Sequence, residues 1–214
     1  MASIHKSLTI AKENCDDLIY FVEDDYIHKK ESLFEIVSTY EKIASVQNKD
    51  LFMCPVDYPY LYKNFNATNI FIGNKYHWRT VKESLLTFLT SKSLLNKYWD
   101  DLKLMCENEH SPFESPLHLI YEKELCISPV PSLAMHCTNV NSVFGLSPNI
   151  DWLKLWKDNL IFGVGSGAST FLRENRLVGL AAHTEFSRLL AEHGIFGLMI
   201  IFLLGFLLGP ILIK

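Results

Sequence analysis

The run Leu18-Ile19-Tyr20-Phe21-Val22, followed at once by Glu23-Asp24-Asp25, constrains this chain more than any other segment. Five apolar, mostly β-prone residues predict a strand buried on both faces, and such strands belong to sheets covered by helices. The expected class is therefore α/β. In open α/β sheets ligands bind beyond the carboxyl ends of the strands, where the three acids stand. Clustered carboxylates repel one another, so a divalent cation such as Mg²⁺ or Mn²⁺ is one reason to gather them. The other reading is local: Asp and Glu favour the first turn of a following helix.

The surrounding pattern supports a sheet-and-helix domain. Residues 3–14 carry apolar residues at helical spacing, and so do residues 31–46, through Leu33, Ile36, Val37, Tyr40, Ile43 and Ala44. Short strands are predicted at 50–54, 70–72, 76–81 and 84–89, helices at 91–106 and 112–122, and an edge or exit strand at 125–131 broken by Pro129 and Pro131. With 49% hydrophobic residues the chain can build a core. Its formal charge of −4 and the lack of a Lys/Arg-rich run argue against a nucleic-acid partner. Five cysteines without a C-x-x-C pair fit reduced thiols better than a disulfide framework or a zinc site.

The C-terminal part reads differently. Residues 194–213 contain no charged side chain, and twenty apolar residues suffice to cross a hydrocarbon layer of roughly 30 Å. A C-terminal transmembrane helix is expected there, with a buried core helix as the alternative. Gly163-Val164-Gly165-Ser166-Gly167 lacks the spacing and the Lys of a phosphate loop and reads as a junction.

Tyr20 to His28, Asp57-Tyr58-Pro59, His77-Trp78-Arg79-Thr80 and Pro129 to His136 together resemble, in that order, a bacterial family of GT-A-type glycosyltransferase-like proteins. The resemblance covers residues 2–156. It implies a Rossmann-like GT-A domain, incomplete at its N-terminus because only seventeen residues precede the strand that ends in the acidic motif. It also implies a nucleotide-sugar donor, a glycan or lipid-linked acceptor, and a divalent cation, Mn²⁺ or Mg²⁺. The acidic motif stands here as Glu23-Asp24-Asp25, and His136 is the late ligand the resemblance suggests. Alternation along an extended chain puts Glu23 and Asp25 on one side as metal ligands and leaves Asp24 to the ribose or an outer role. His136 has a structural reading as well, as a satisfied histidine beside an apolar run. His77-Trp78-Arg79 offers a planar donor fork beside a large ring for phosphate or sugar hydroxyls, or an Arg stacked on Trp at a sheet edge. An inverting reaction needs a base for the acceptor proton, for which Asp57 and Glu114 are candidates.

Gly163 to Gly167 and Ala182 to Leu198 resemble the C-terminal part of the O-antigen ligase and polymerase family, with His183 and Arg188 at positions where that family acts on lipid-linked glycans. The expected organisation is thus a glycosyltransferase-like domain over 1–156, a ligase-like loop and juxtamembrane helix over 157–193, and a membrane span over 194–213. The two resemblances imply different compartments, because nucleotide sugars are cytosolic and the ligase loop works outside. The favoured reading faces the main domain to the cytoplasm and treats the tail as an anchor. The alternatives are a fragment of a ligase or polymerase, or a non-catalytic, membrane-tethered sugar-binding protein.

Overall fold

The computed structural model describes residues 2–23, 25–63, 67–106, 114–137 and 142–148, together with the single positions 150, 151, 154 and 199. Their architecture is mixed α/β: a six-stranded sheet, a separate two-stranded sheet and five helices among the described residues. The chain divides into two compact units. The first gathers the described residues of Met1–Glu23, Lys30–Asp57 and Leu61–Ala134, and the second those of Asp24–Lys29, Tyr58–Tyr60 and Met135–Lys214.

The first unit contains the large sheet. Its strands are β1 (Leu18–Phe21), β3 (Phe52–Met53), β4 (Ile70–Ile72), β5 (His77–Thr80), β6 (Phe88–Ser91) and β7 (Cys126–Val130), in the order β1-β6-β3-β7-β5-β4. Only β3 and β7 run parallel among the paired neighbours; the other pairs are antiparallel. Helices cover both faces. On one, Leu8 and Ala11 of α1 (Ala2–Asn14) join Leu94 and Leu95 of α3 (Lys92–Lys97), Leu102 of α4 (Trp99–Leu104) and Leu117 and Ile120 of α5 (Ser115–Tyr121). They pack over Ile19, Phe52 and Phe88. On the other, Ile36, Tyr40 and Ile43 of α2 (Ser32–Gln47) pack over Met53, Trp78, Leu89 and Ile127.

Several expectations are corrected by this topology. The first strand does form, but at the edge of the sheet, where Ile19 is buried, its neighbours are only partly covered and Val22 is 53% exposed. An apolar run cannot tell an edge strand from a central one, because the covering comes from neighbours distant in sequence. The opposite error occurs at β7, which is central despite Pro129. Pro129 sits opposite Trp78, three pairs from Val81 and Cys126, where Val81 N–H donates to the Cys126 carbonyl, so the alternation makes Trp78 and Pro129 a non-hydrogen-bonded pair toward β5. On the other side Cys54 N–H donates to the Ile127 carbonyl, and the next rung of a parallel ladder would need the N–H that Pro129 lacks, so the pairing with β3 goes no further. The strand expected at 84–89 lies at 88–91, and the helix expected at 91–106 is two helices meeting at Tyr98.

The second unit is built on β2 (Tyr26–His28) paired with β8, which begins at Ala134 and ends at His136. Beyond the strands, Cys137 N–H donates to the Asp25 carbonyl at 2.7 Å and Tyr60 N–H to the Val143 carbonyl at 3.0 Å. No helix among the described residues is long and apolar enough to cross a membrane. The expected juxtamembrane helix and the span at 194–213 lie outside the described residues, apart from position 199.

Candidate functional site

In the second unit the pairing of β2 with β8 brings Asp25 to the late histidine. Asp25 immediately precedes β2 and His136 is the last residue of β8, and His136 Nε2 lies 3.0 Å from Asp25 Oδ2. The His136 side chain is 9% exposed and that of Asp25 29%. His136 Nδ1 is 2.8 Å from the Phe144 carbonyl oxygen. A carbonyl only accepts, so Nδ1 carries the proton of that bond. Nε2 then has two ways to face a carboxylate: as the second N–H of an imidazolium, or as a lone pair sharing a cation with Asp25. The second is the arrangement of a metal-binding His whose far nitrogen is fixed by a carbonyl.

Asp25 Oδ1 is buried and has no hydrogen-bond partner among the described residues. Burial, reinforced by the charge of Asp25, pushes the nearby Cys137 thiol up. The pair itself offers a carboxylate oxygen and an imidazole nitrogen, donors that suit Mn²⁺ or Mg²⁺. Among the described residues no group of three or more His, Cys, Asp or Glu side chains is disposed to hold a metal ion. Asp24 lies outside the described residues, and Glu23 belongs to the first unit, where its N–H donates to Thr87 Oγ1 at 2.9 Å.

Aromatic rings enclose the pair. The Tyr26 ring stacks on the His136 imidazole with centroids 4.7 Å apart and planes 19° from parallel. Its hydroxyl meets that of Tyr58 at 2.6 Å, and the fully buried Tyr58 packs edge-on to Phe144 at 5.2 Å. Tyr60 lies 5.1 Å from Phe144. Tyr26, Tyr58 and Phe144 carried no role in the sequence reading. The first two lie inside the motif runs quoted above, so their position beside Asp25 and Asp57 was the available signal.

Of the remaining candidates, His77, Trp78, Arg79, Asp57 and Glu114 fall in the first unit. Strand alternation splits His77-Trp78-Arg79: Trp78 is fully buried against α2 and donates from Nε1 to Glu35, at 3.4 Å, whereas Arg79 turns to the other face. Arg79 therefore does not stack on Trp78. It lies 4.6 Å over the Tyr62 ring and donates to Asp57 Oδ1. Asp57 is fully buried; its second oxygen accepts from the Tyr62 hydroxyl, and its backbone N–H donates to Ser132 Oγ at 2.9 Å. Burial raises the Asp57 carboxyl above its ordinary value, against the lowering effect of Tyr62 and Arg79. Both Asp57 oxygens are thus engaged, by Tyr62 and by Arg79. Glu114, buried at the start of α5, offers its carbonyl to His118 N–H. His183 and Arg188 lie outside the described residues.

No family model, curated protein or solved structure matches this chain.

Proposed function

We propose that the chain is a metal-dependent, glycosyltransferase-like protein that uses a nucleotide sugar, with a GT-A-like domain held at the cytoplasmic face of a membrane by residues 194–213. One observation carries this reading. The acidic motif and the late histidine singled out in the sequence, 111 residues apart, stand 3.0 Å from each other, with the histidine's other nitrogen committed to a carbonyl.

In this reading Asp25 and His136 hold the cation. A divalent cation bound there supplies Lewis-acid stabilisation of the departing diphosphate. Phe144 keeps the imidazole in the tautomer that presents Nε2, and the Tyr26 ring covers one face of it. The acceptor is a glycan or a lipid-linked glycan. Arg79, tied to Asp57, supports the fold rather than the donor.

The test is calorimetry on the full chain in detergent, titrated with uridine and guanosine diphosphates. Binding is expected with Mn²⁺ and not with excess chelator, and Asp25→Ala or His136→Ala should weaken it at least about tenfold. Equal heats with metal and with chelator would sink the reading.

A further inference from the structure

The contacts around His136 close on themselves. From the imidazole the path runs to the stacked Tyr26 ring, through the paired hydroxyls to Tyr58, from Tyr58 edge-on to Phe144, and from the Phe144 carbonyl back to His136 Nδ1. Each member removes a different freedom. The hydrogen bond to Phe144 fixes one atom of the imidazole but leaves the ring able to pivot about that bond. A second ring lying 19° from parallel at 4.7 Å removes the pivot. Once both are in place, the position of Nε2 relative to Asp25 is determined. Binding constellations need ligand atoms held within about 0.5 Å, which a side chain fixed at a single point does not provide.

We propose that Tyr26 is a positioning residue that sets the plane of the His136 imidazole, with Tyr58 holding the Tyr26 ring through its hydroxyl. Tyr26 is 6% exposed and follows Asp25 directly, so one short segment supplies both a ligand oxygen and the surface that aims the partner nitrogen. The stacking also suits a ring that must keep one face covered while Nε2 points to a polar centre. This role rests on the reading of Asp25 and His136 as the cation-holding pair, and its test separates the two.

The experiment uses the full chain in detergent with ¹⁵N-labelled histidine. Long-range ¹H–¹⁵N spectra of the metal-free protein identify His136 by its loss in His136→Gln. In the wild type, Nδ1 should be protonated and slow to exchange, and the ring protons should be shifted by the Tyr26 ring current. Binding of Mn²⁺ alone is followed by electron paramagnetic resonance of the free ion. Tyr26→Leu should displace the His136 signals and weaken Mn²⁺ about tenfold, while Tyr26→Phe, which keeps the ring, should restore most of both. Tyr58→Phe removes only the anchoring hydroxyl and should speed exchange of the Nδ1 proton several-fold, which gives a second measure if the Leu variant does not fold. His136 signals unchanged in Tyr26→Leu, or an Nδ1 proton unaffected by Tyr58→Phe, would overturn the positioning role. A fixed imidazole in a wild type that takes up no Mn²⁺ would instead end the cation reading, with the positioning of the ring still decided by the spectra.

Discussion

Glu35 shows how much one side chain can organise without leaving a mark in the sequence pattern. It lies on α2, is 1% exposed, and its carboxylate accepts the backbone N–H groups of Asn74, Lys75 and Tyr76, at 2.9 to 3.2 Å, and the Thr39 hydroxyl at 3.0 Å. Three successive N–H groups converging on one point form an anion nest, and here the protein supplies its own anion. The turn between β4 and β5 is thereby tied to α2, and with it the strand that carries Arg79. Gly73 belongs to the same device: a Cβ there would meet Thr39 Oγ1 at 2.6 Å and collide with the Trp78 indole, so only glycine admits this approach. Glu35→Gln would point an amide at donors that need an acceptor. Urea unfolding should show a loss of about 2 to 3 kcal/mol with an unchanged m-value. No periodicity distinguishes such a Glu from a solvated one, because its partners are backbone groups about forty positions away.

At the scale of elements, the helix pair α3 and α4 is set by its ends. Ser91 caps α3, accepting Leu94 N–H at 3.0 Å while donating to Asp50 at 2.9 Å, and the chain breaks at Tyr98. There Glu124, just before β7, accepts from Lys97 and from the Tyr98 hydroxyl at 2.6 Å. Burial would raise the Glu124 carboxyl, but the hydrogen bonds from Lys97 and Tyr98 and the charges of Lys97 and Lys49 outweigh it and hold it below its ordinary 4.5. A carboxyl lowered in the folded state contributes stability above its unfolded value and loses it as pH falls through the folded one. Glu124→Gln should therefore lower the melting temperature at pH 7, and the gap to the wild type should narrow as pH is taken below 4.5. A gap that held constant down to pH 2 would show that the carboxylate contributes nothing. The elements themselves were largely legible: α1, α2, β1, β4 and β5 stand close to where spacing and turn residues put them. Boundaries at 84–91 and 91–106 were not, because Ser91 ends a strand and caps a helix at once, and the apolar run continues through both.

At the scale of the whole molecule, the proposed anchor makes the clearest prediction. Twenty uncharged residues rich in Leu, Ile and Phe satisfy their backbone bonds as one helix in lipid. The full chain should stay with the membrane fraction through carbonate extraction, and a chain ending at Asp158 should be released; a full chain soluble without detergent would remove the anchor. Composition and periodicity determined the α/β class, most helices and strands, and the acidic strand end at which a cation was one reading; His136 as its partner came from the motif resemblance. Those properties are local: a buried strand, an amphipathic helix and an acidic strand end are each written within about fifteen consecutive residues. Only the tertiary structure decided that β1 is an edge and β7 is central, that Asp57 is drawn to Arg79, and that Tyr26, Tyr58 and Phe144 are linked around His136. Each of these depends on which distant segments become neighbours, and residue spacing along one chain does not specify that.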